Sequence, residues 1–164
     1  MPVDAPAFKS ALSRLPGPVT VVTALTEVGP VGMTASSFTS LSLDPPLVLV
    51  CVAHRAGMHA HLRAATGFAV SVLSADQEAV SNRFAGPFEG PRFADLPHAP
   101  APCSGAPWLD GAMACVDCTV HAVHEGGDHS IFVGQVEAVR LSPQPRDALD
   151  PLLYFAGRYR RLGP

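Results

Sequence analysis

The sequence predicts a β-rich α+β fold, a barrel or a sandwich carrying a few short helices. Runs of strand length, rich in Val, Leu, Thr and Ala, recur along the chain, and only three short segments read as helix. With 17 prolines and 14 glycines in 164 residues, turns are too frequent for a helix bundle. The length fits one domain over residues 1–164. A chain of that size buries about two-thirds of its unfolded surface and needs neither metal nor disulfide to close a core.

Asp4 can cap a helix over Ala5 to Leu15, with Pro6 in its first turn and Pro16-Gly17-Pro18 ending it. Val19 to Leu25 is β-branched and reads as a strand. A turn over Glu27 to Pro30 leads into a second extended stretch, Val31 to Ser37. Leu47 to Ala53 is an unbroken apolar run, which predicts a strand buried on both faces. Gly57 to Ala65 reads as a short helix and Phe68 to Leu73 as another strand. Ser74-Ala-Asp-Gln77 has the capping-box pattern and predicts a helix from about Ala75 to Phe84. The stretch Gly86 to Ala106, crowded with Pro, Gly and Phe, is long for a structureless loop and predicts a lid or binding loop. Met113–His124 and Ser130–Leu141 flank the turn Glu125-Gly-Gly-Asp128 and predict a hairpin. Pro151 to Tyr159 gives one more short strand. The total is six or so strands and three helices.

Charge and composition exclude several functions. The formal net charge is −3, Lys9 is the single lysine, and the one tight basic cluster, Arg158-Tyr159-Arg160-Arg161, lies at the end of the chain. Nucleic acid, which demands clustered cations, is excluded as a partner. No apolar stretch reaches the ~18–20 residues of a membrane helix, and the N-terminal segment is not a signal peptide. The expectation is a cytoplasmic protein with reduced cysteines. Charged residues make up 15 % of the chain against 48 % hydrophobic. About 25 % charged is usual, so part of the apolar surface is expected to be covered by a second subunit.

The cysteines are Cys51, Cys103, Cys115 and Cys118. Cys115-x-x-Cys118 with His121 and His124 suggests zinc by spacing. On a strand, however, residues three apart face opposite sides, so Cys115 and Cys118 cannot share an ion unless the strand breaks. No metal site is expected. There is also no G-x-G-x-x-G, no phosphate-binding G-x-x-x-x-G-K-[ST] loop, no G-x-S-x-G elbow and no H-E-x-x-H.

Three features carry polar chemistry. Gly32 to Ser42 holds six Ser or Thr in eleven residues. Such small hydroxyls and backbone N–H groups can bond a heterocycle edge or a phosphate, or else simply satisfy a strand end and its turn. Gly126-Gly127-Asp128-His129 places an imidazole at a hairpin tip, where an ordinary exposed turn is the plainer explanation. Asn82-Arg83, beside Phe84, ends the capped helix. There an Arg serves the helix dipole as readily as it serves an anion.

Taken in order, these pieces resemble the flavin reductase family, NAD(P)H:flavin oxidoreductases with the FMN-binding split β-barrel fold and short flanking helices. Many are the small component of two-component monooxygenases. The resemblance runs from about Phe8 to Tyr159. It rests on Gly17-Pro-Val-Thr-Val-Val-Thr23, Gly32-Met-Thr-Ala-Ser-Ser-Phe-Thr-Ser-Leu-Ser-Leu-Asp-Pro-Pro-Leu47, Phe68 to Leu73, Asn82-Arg-Phe-Ala85, Gly127-Asp-His129, and Leu153-Tyr-Phe155 with Arg158-Tyr159.

The resemblance implies FMN or FAD as flavin, NADH or NADPH as hydride donor, a homodimer, and a partner monooxygenase that receives reduced flavin. Met33, Thr34, Ala35 and Ser36 would line the flavin ring edge, largely through backbone groups. Ser37, Cys51, Val52 and Ala53 would continue along the ring and ribityl chain. Asn82, Arg83 and Phe84 would help hold the phosphate or adenylate side. Gly127 and Asp128 would shape the nicotinamide side, with His129 as the residue nearest the reaction, and Tyr154 or Tyr159 would close over the stack. The family often carries a Ser in the phosphate turn. Here that turn reads His54-Arg-Ala-Gly-Met58, with Ala56 in the place of the hydroxyl, and Arg55 can replace it with a charge-assisted bond.

Three other readings compete. A flavin binder without reductase activity would have no use for the Gly127-Asp-His129 motif. A pyridoxamine-phosphate-oxidase-like or haem-handling protein would want more basic phosphate ligands. A zinc-stabilised interaction module would rest on Cys115, Cys118, His121 and His124.

Overall fold

The computed structural model describes residues 2–86 and 91–162. Its strands are β1 (Gly17–Pro18), β2 (Thr20–Thr26), β3 (Gly29–Ala35), β4 (Thr39–Leu43), β5 (Pro46–Ala53), β6 (Gly67–Val72), β7 (His98–Pro100), β8 (Pro107–Leu109), β9 (Ala114–Gly126), β10 (His129–Leu141), β11 (Leu153–Phe155) and β12 (Arg158–Arg160). Its helices are α1 (Ala5–Leu12), α2 (Gly57–Ala64) and α3 (Glu78–Ala85), the last preceded by a 3₁₀ turn at Ala75–Gln77. Seven strands form one antiparallel sheet in the order β3-β2-β6-β9-β10-β5-β4. The edge strands β3 and β4 follow each other in sequence yet do not pair, so the sheet stays open along a seam spanned by residues 36–38. Two small sheets, β1-β11-β12 and β7-β8, complete the strands.

The strand count exceeds the sequence expectation for identifiable reasons. The second half of the hydroxyl-rich stretch forms a further strand, β4, which turns at Asp44-Pro45 and pairs with β5. The tail is a hairpin, β11-β12, turned at Ala156 and Gly157, both with positive φ. The segment Gly86 to Ala106, expected as a lid or binding loop, contains a short strand, β7, that pairs with β8 just beyond it, while its residues 87–90 lie outside the described residues. The capping box is formed as predicted, with the Ser74 backbone N–H donating to Gln77 Oε1 at 3.1 Å. α1 is capped by Asp4, which accepts from the Ala7 N–H at 2.8 Å, and stops at Leu12, short of the predicted Leu15.

The core sits between the sheet's inner face and the helices. Val22, Val50, Val52, Leu62, Phe68 and Phe132 are fully buried in its main cluster, which α2 closes with Met58 and Leu62. A second cluster packs Phe84 of α3 against Val19, Val21, Leu73 and Leu152. β10 can cross the interior only because Gly134 lacks a side chain. A Cβ there would lie 2.5 Å from Phe68 Cζ and 2.8 Å from Cys118 Cβ, at the point where the β9-β10 register shifts. The buried hydroxyls of β2 are satisfied by backbone: Thr20 donates to Ala35 O and Thr23 to Pro107 O, each at 2.8 Å.

β5 departs from expectation. It alternates, with Val48, Val50 and Val52 in the core and Leu47, Leu49, Cys51 and Ala53 only half-buried. The outward face of the unbroken apolar run is therefore not covered by this chain. Cys115 and Cys118 point to different clusters, as period-two geometry requires, and no group of metal-ligating side chains is assembled among the described residues. Burial, with the Asp117 charge beside it, pushes the Cys118 thiol up to about 12.

Candidate functional site

The open seam creates two adjoining clefts. The larger, of about 800 Å³, lies between β3, the β5–α2 turn and the end of α3. The smaller, of about 620 Å³, lies between the end of β3, α3 and the β11-β12 hairpin. Thr34 and Ala85 line both and so form the ridge between them. Thr34 is held there by its hydroxyl, which donates to Ser81 O at 2.7 Å. Gly32 lets α3 come this close, since a Cβ there would lie 3.0 Å from the Phe84 ring. Because β3 is an edge strand, alternate backbone N–H and C=O groups along it have no strand partner and face the clefts.

The larger cleft is polarised. Arg55, Arg92 and His61 are its ionisable lining residues, and among the described residues no carboxylate lines it. α2 begins on its wall, and its N-cap residue, Ala56, offers no side-chain hydrogen bond. The His59 N–H turns back to Ala56 O at 2.9 Å, which leaves the Gly57 and Met58 amides open to an anion, and Arg55 stands beside them with no side-chain hydrogen bond among the described residues. Missing hydroxyl and added cation fall at one place, which fits a phosphate at the end of an elongated, largely apolar ligand. The volume is that of a small-molecule or cofactor site.

The smaller cleft differs in kind. Its Tyr159 hydroxyl lies 2.8 Å from Ser81 Oγ and donates to Asn82 Oδ1 at 3.1 Å. Tyr154 meets the Tyr159 ring edge-on at 5.5 Å between centroids. Glu78 and Arg158 give this cleft one charge of each sign.

The structure thus gathers Met33, Thr34, Ala53, Arg55 and Phe84 around the larger cleft, and Thr34, Ala35, Ser36, Asn82, Tyr154 and Tyr159 around the smaller. His129 lines neither but pairs with Ala53 across β10-β5, so it stands at the larger cleft's edge. Its Nδ1 lies 2.7 Å from Asp128 Oδ1. That bond, then the imidazole's charge and the more distant Arg55, hold the Asp128 carboxyl below its usual range. With Nδ1 bound to a carboxylate, Nε2 is the ring nitrogen left for a ligand. Gly127 takes the positive φ, +72°, that the hairpin tip requires.

Four of the expected contact residues, Val52, Ser37, Cys51 and Arg83, line neither cleft. Val52 faces inward and is fully buried, because alternation along β5 sends it to the core. Ser37 spends its hydroxyl on β5, donating to Cys51 O at 2.8 Å and accepting from Cys51 N at 3.2 Å, so both residues staple the seam and line neither cleft. Arg83 points away from the clefts and donates to Ala94 O at 3.0 Å. It thereby anchors the segment that brings in Arg92, which donates in turn to Arg83 O and Gly86 O. Sequence reasoning passed over Arg92 and His61. His61 could have been found, one helical turn from Gly57 on a face with Met58, but Arg92 sits in an irregular segment with no periodicity to read.

Comparison with known proteins agrees with this geometry. The flavin reductase like domain matches residues 12–163. An NADH-dependent FAD reductase of Streptomyces globisporus is 43 % identical over 99 % of this chain and 88 % of its own length. The reductase component of a 4-hydroxyphenylacetate 3-monooxygenase of Thermus thermophilus is 45 % identical over 95 % of both. Among solved structures, the NADH:FAD oxidoreductase SgcE6 of Streptomyces globisporus C-1027, in complex with NAD and FAD fragments, superposes with a TM-score of 0.90. It is 42 % identical over 98 % of this chain and 94 % of that one. The open seven-stranded sheet is accordingly the split-barrel arrangement that the sequence resemblance implied. With a family match along nearly its whole length and relatives above 40 % identical over at least 95 % of it, the chain belongs to the flavin reductase like domain family.

Proposed function

We propose that the chain is an NADH-dependent flavin reductase, acting as one domain on FMN or FAD and supplying reduced flavin to a partner monooxygenase. The observation that carries this is the cleft between edge strand β3 and the start of α2, which Arg55, Arg92 and His61 line and to which, among the described residues, no carboxylate contributes. A flavin bound there supplies a ring that accepts hydride from reduced nicotinamide. The chain's task is to bind and orient. The backbone of Met33 and Thr34 offers hydrogen bonds to a ring edge, Arg55 and the α2 amides take the phosphate, and Asp128 holds His129 with Nε2 turned outward on the nicotinamide side. The reaction needs no nucleophile, and the described residues of the larger cleft offer neither Ser, Cys nor carboxylate in that role.

The active unit in this reading is a homodimer in the cytoplasm. α1 buries none of its residues, leaving Phe8 55 % and Leu12 47 % exposed, and the outer face of β5 is only half-covered. A second copy would cover such surfaces. All four cysteines are free thiols, as a reducing compartment keeps them. No described helix is long and apolar enough to cross a membrane.

The test is NADH oxidation followed by absorbance, with and without FMN, FAD or riboflavin. Oxidation that rises and saturates with added flavin is expected. Flavin binding with NADH and NADPH both left unconsumed would replace this reading by that of a flavin binder without reductase activity.

A further inference from the structure

Beneath the β5–α2 turn lies a polar network that the proposed reaction does not use. Glu125, at the end of β9, bonds His54 Nε2 through Oε2 at 3.0 Å and accepts from Arg63 Nη1 of α2 through Oε1, also at 3.0 Å. Ser130 of β10, fully buried, has its hydroxyl 2.9 Å from His59 Nε2, 3.3 Å from His54 Nε2 and 3.3 Å from Glu125 Oε2. The His54 and His59 rings meet edge to face with centroids 5.0 Å apart, and His59 meets Phe132 in the same way at 5.7 Å. The His54 backbone N–H donates to Asp128 O at 2.9 Å.

Two roles suggested by these residue types are excluded by geometry. A nucleophilic serine needs an open approach, but Ser130 is fully buried, and Glu125 orients His54 rather than His59. The side chains also do not converge as metal ligands among the described residues. What the network does join is clear from its members' neighbours. His54 is followed by Arg55, Ala56 and Gly57, the anion end of the larger cleft. Glu125 and Ser130 flank the hairpin tip that carries Asp128 and His129.

We infer that His54, Glu125, Ser130 and His59 form a positioning network that locks the β5–α2 turn to the β9-β10 hairpin and so fixes the spacing between the flavin phosphate site and His129, an inference that rests on the reductase reading. Without the tie, the turn keeps the His54 backbone bond to Asp128, the Ala56 N–H bond to Ala53 O and the packing of Ala56 on the core, none of which holds the exposed Arg55 side chain. Glu125 is suited to a permanent tie. Desolvation opposes its charge, but the bond and charge of His54, then Arg63 and Ser130, outweigh that and hold its carboxyl below the usual range.

The experiment uses the full chain and the variants His54→Ala, His54→Gln, Glu125→Gln and the double His54→Ala/Glu125→Gln. FMN and riboflavin affinities are measured by quenching of flavin fluorescence, and melting temperature is measured in parallel. His54→Ala and Glu125→Gln should each weaken FMN binding about tenfold and leave riboflavin, which lacks the phosphate, within about twofold. The double variant should be no worse than His54→Ala, and His54→Gln, which keeps a donor toward Glu125, should recover most of the loss. A merely structural role would weaken both flavins equally, in step with the melting temperature. That result, or unchanged FMN affinity in His54→Ala, overturns the inference. NADH oxidation by the unaltered chain tests the reductase reading separately, so the two can fail independently.

Discussion

The two clefts share a ridge and differ in how their polar groups are employed. In the smaller, Tyr159 is bonded to both Ser81 and Asn82, and Tyr154 rests against its ring, so the aromatic wall is tied to α3. In the larger, Arg55 and the first amides of α2 have no side-chain partner among the described residues. Satisfied polar groups stiffen a wall, whereas unsatisfied ones at a surface await a ligand. In the proposed reading the larger cleft is the binding face, while the bonds of Tyr159 to Ser81 and Asn82 tie the C-terminal hairpin to α3.

The largest separation between them should come from Arg55→Ala. A hydrogen bond to a charged group is worth about 1.5–3 kcal/mol, and exposure of Arg55 argues for the lower end. The expected result is a rise of about tenfold in KM for FMN, with riboflavin within about twofold and the melting temperature unchanged. Equal losses for the two flavins would mean that Arg55 does not meet the phosphate, and the polarity of the cleft would then need another occupant.

Tyr159→Phe is the converse experiment on the smaller cleft. It leaves the buried Ser81 hydroxyl without this partner, at a cost of about 1–2 kcal/mol. For a domain of this length that lowers the melting temperature by roughly 2–8 °C, while KM for FMN should stay within about twofold. A change in FMN affinity larger than the change in stability would show that Tyr159 touches the flavin and would erase the contrast.

How much of this was legible in the sequence follows from the range of the interactions. The capping box at Ser74, the Asp4 cap and the β9-β10 hairpin depend on residues within a few positions of one another, and they were read correctly. β4 is less legible, since only Ser40-Leu-Ser-Leu43 alternates and its register on β5 shifts between Ser40 and Ser42. Met33, Thr34, Ala53 and Arg55 line one cleft, since β3 is an edge strand and Ala53 and Arg55 sit where β5 turns into α2. Ser37 and Arg83 did not, because each found a nearer carbonyl, and no local pattern announces a carbonyl. The pairing of His54 with Glu125 spans 71 positions and exists only through the register of β5 on β10 and β10 on β9.

The smallest effect expected is at the rim of the larger cleft, and it has a defined pH dependence. Asp128 is held below its ordinary value of 3.8 by the bond from His129. A carboxyl lowered on folding contributes stability above its unfolded value and loses it as the pH falls through the folded one. Wild type should therefore exceed Asp128→Asn slightly in melting temperature near neutrality, and the two should converge below pH 3.8. Both side chains are open to solvent, Asp128 at 91 %, so the stability difference is small and screened by salt. Its use lies in kinetics. If Asp128 orients His129 toward the nicotinamide, Asp128→Asn should raise KM for NADH about two- to threefold without touching FMN affinity. A loss confined to FMN would instead move His129 to the phosphate side of the cleft, where Arg55 already stands.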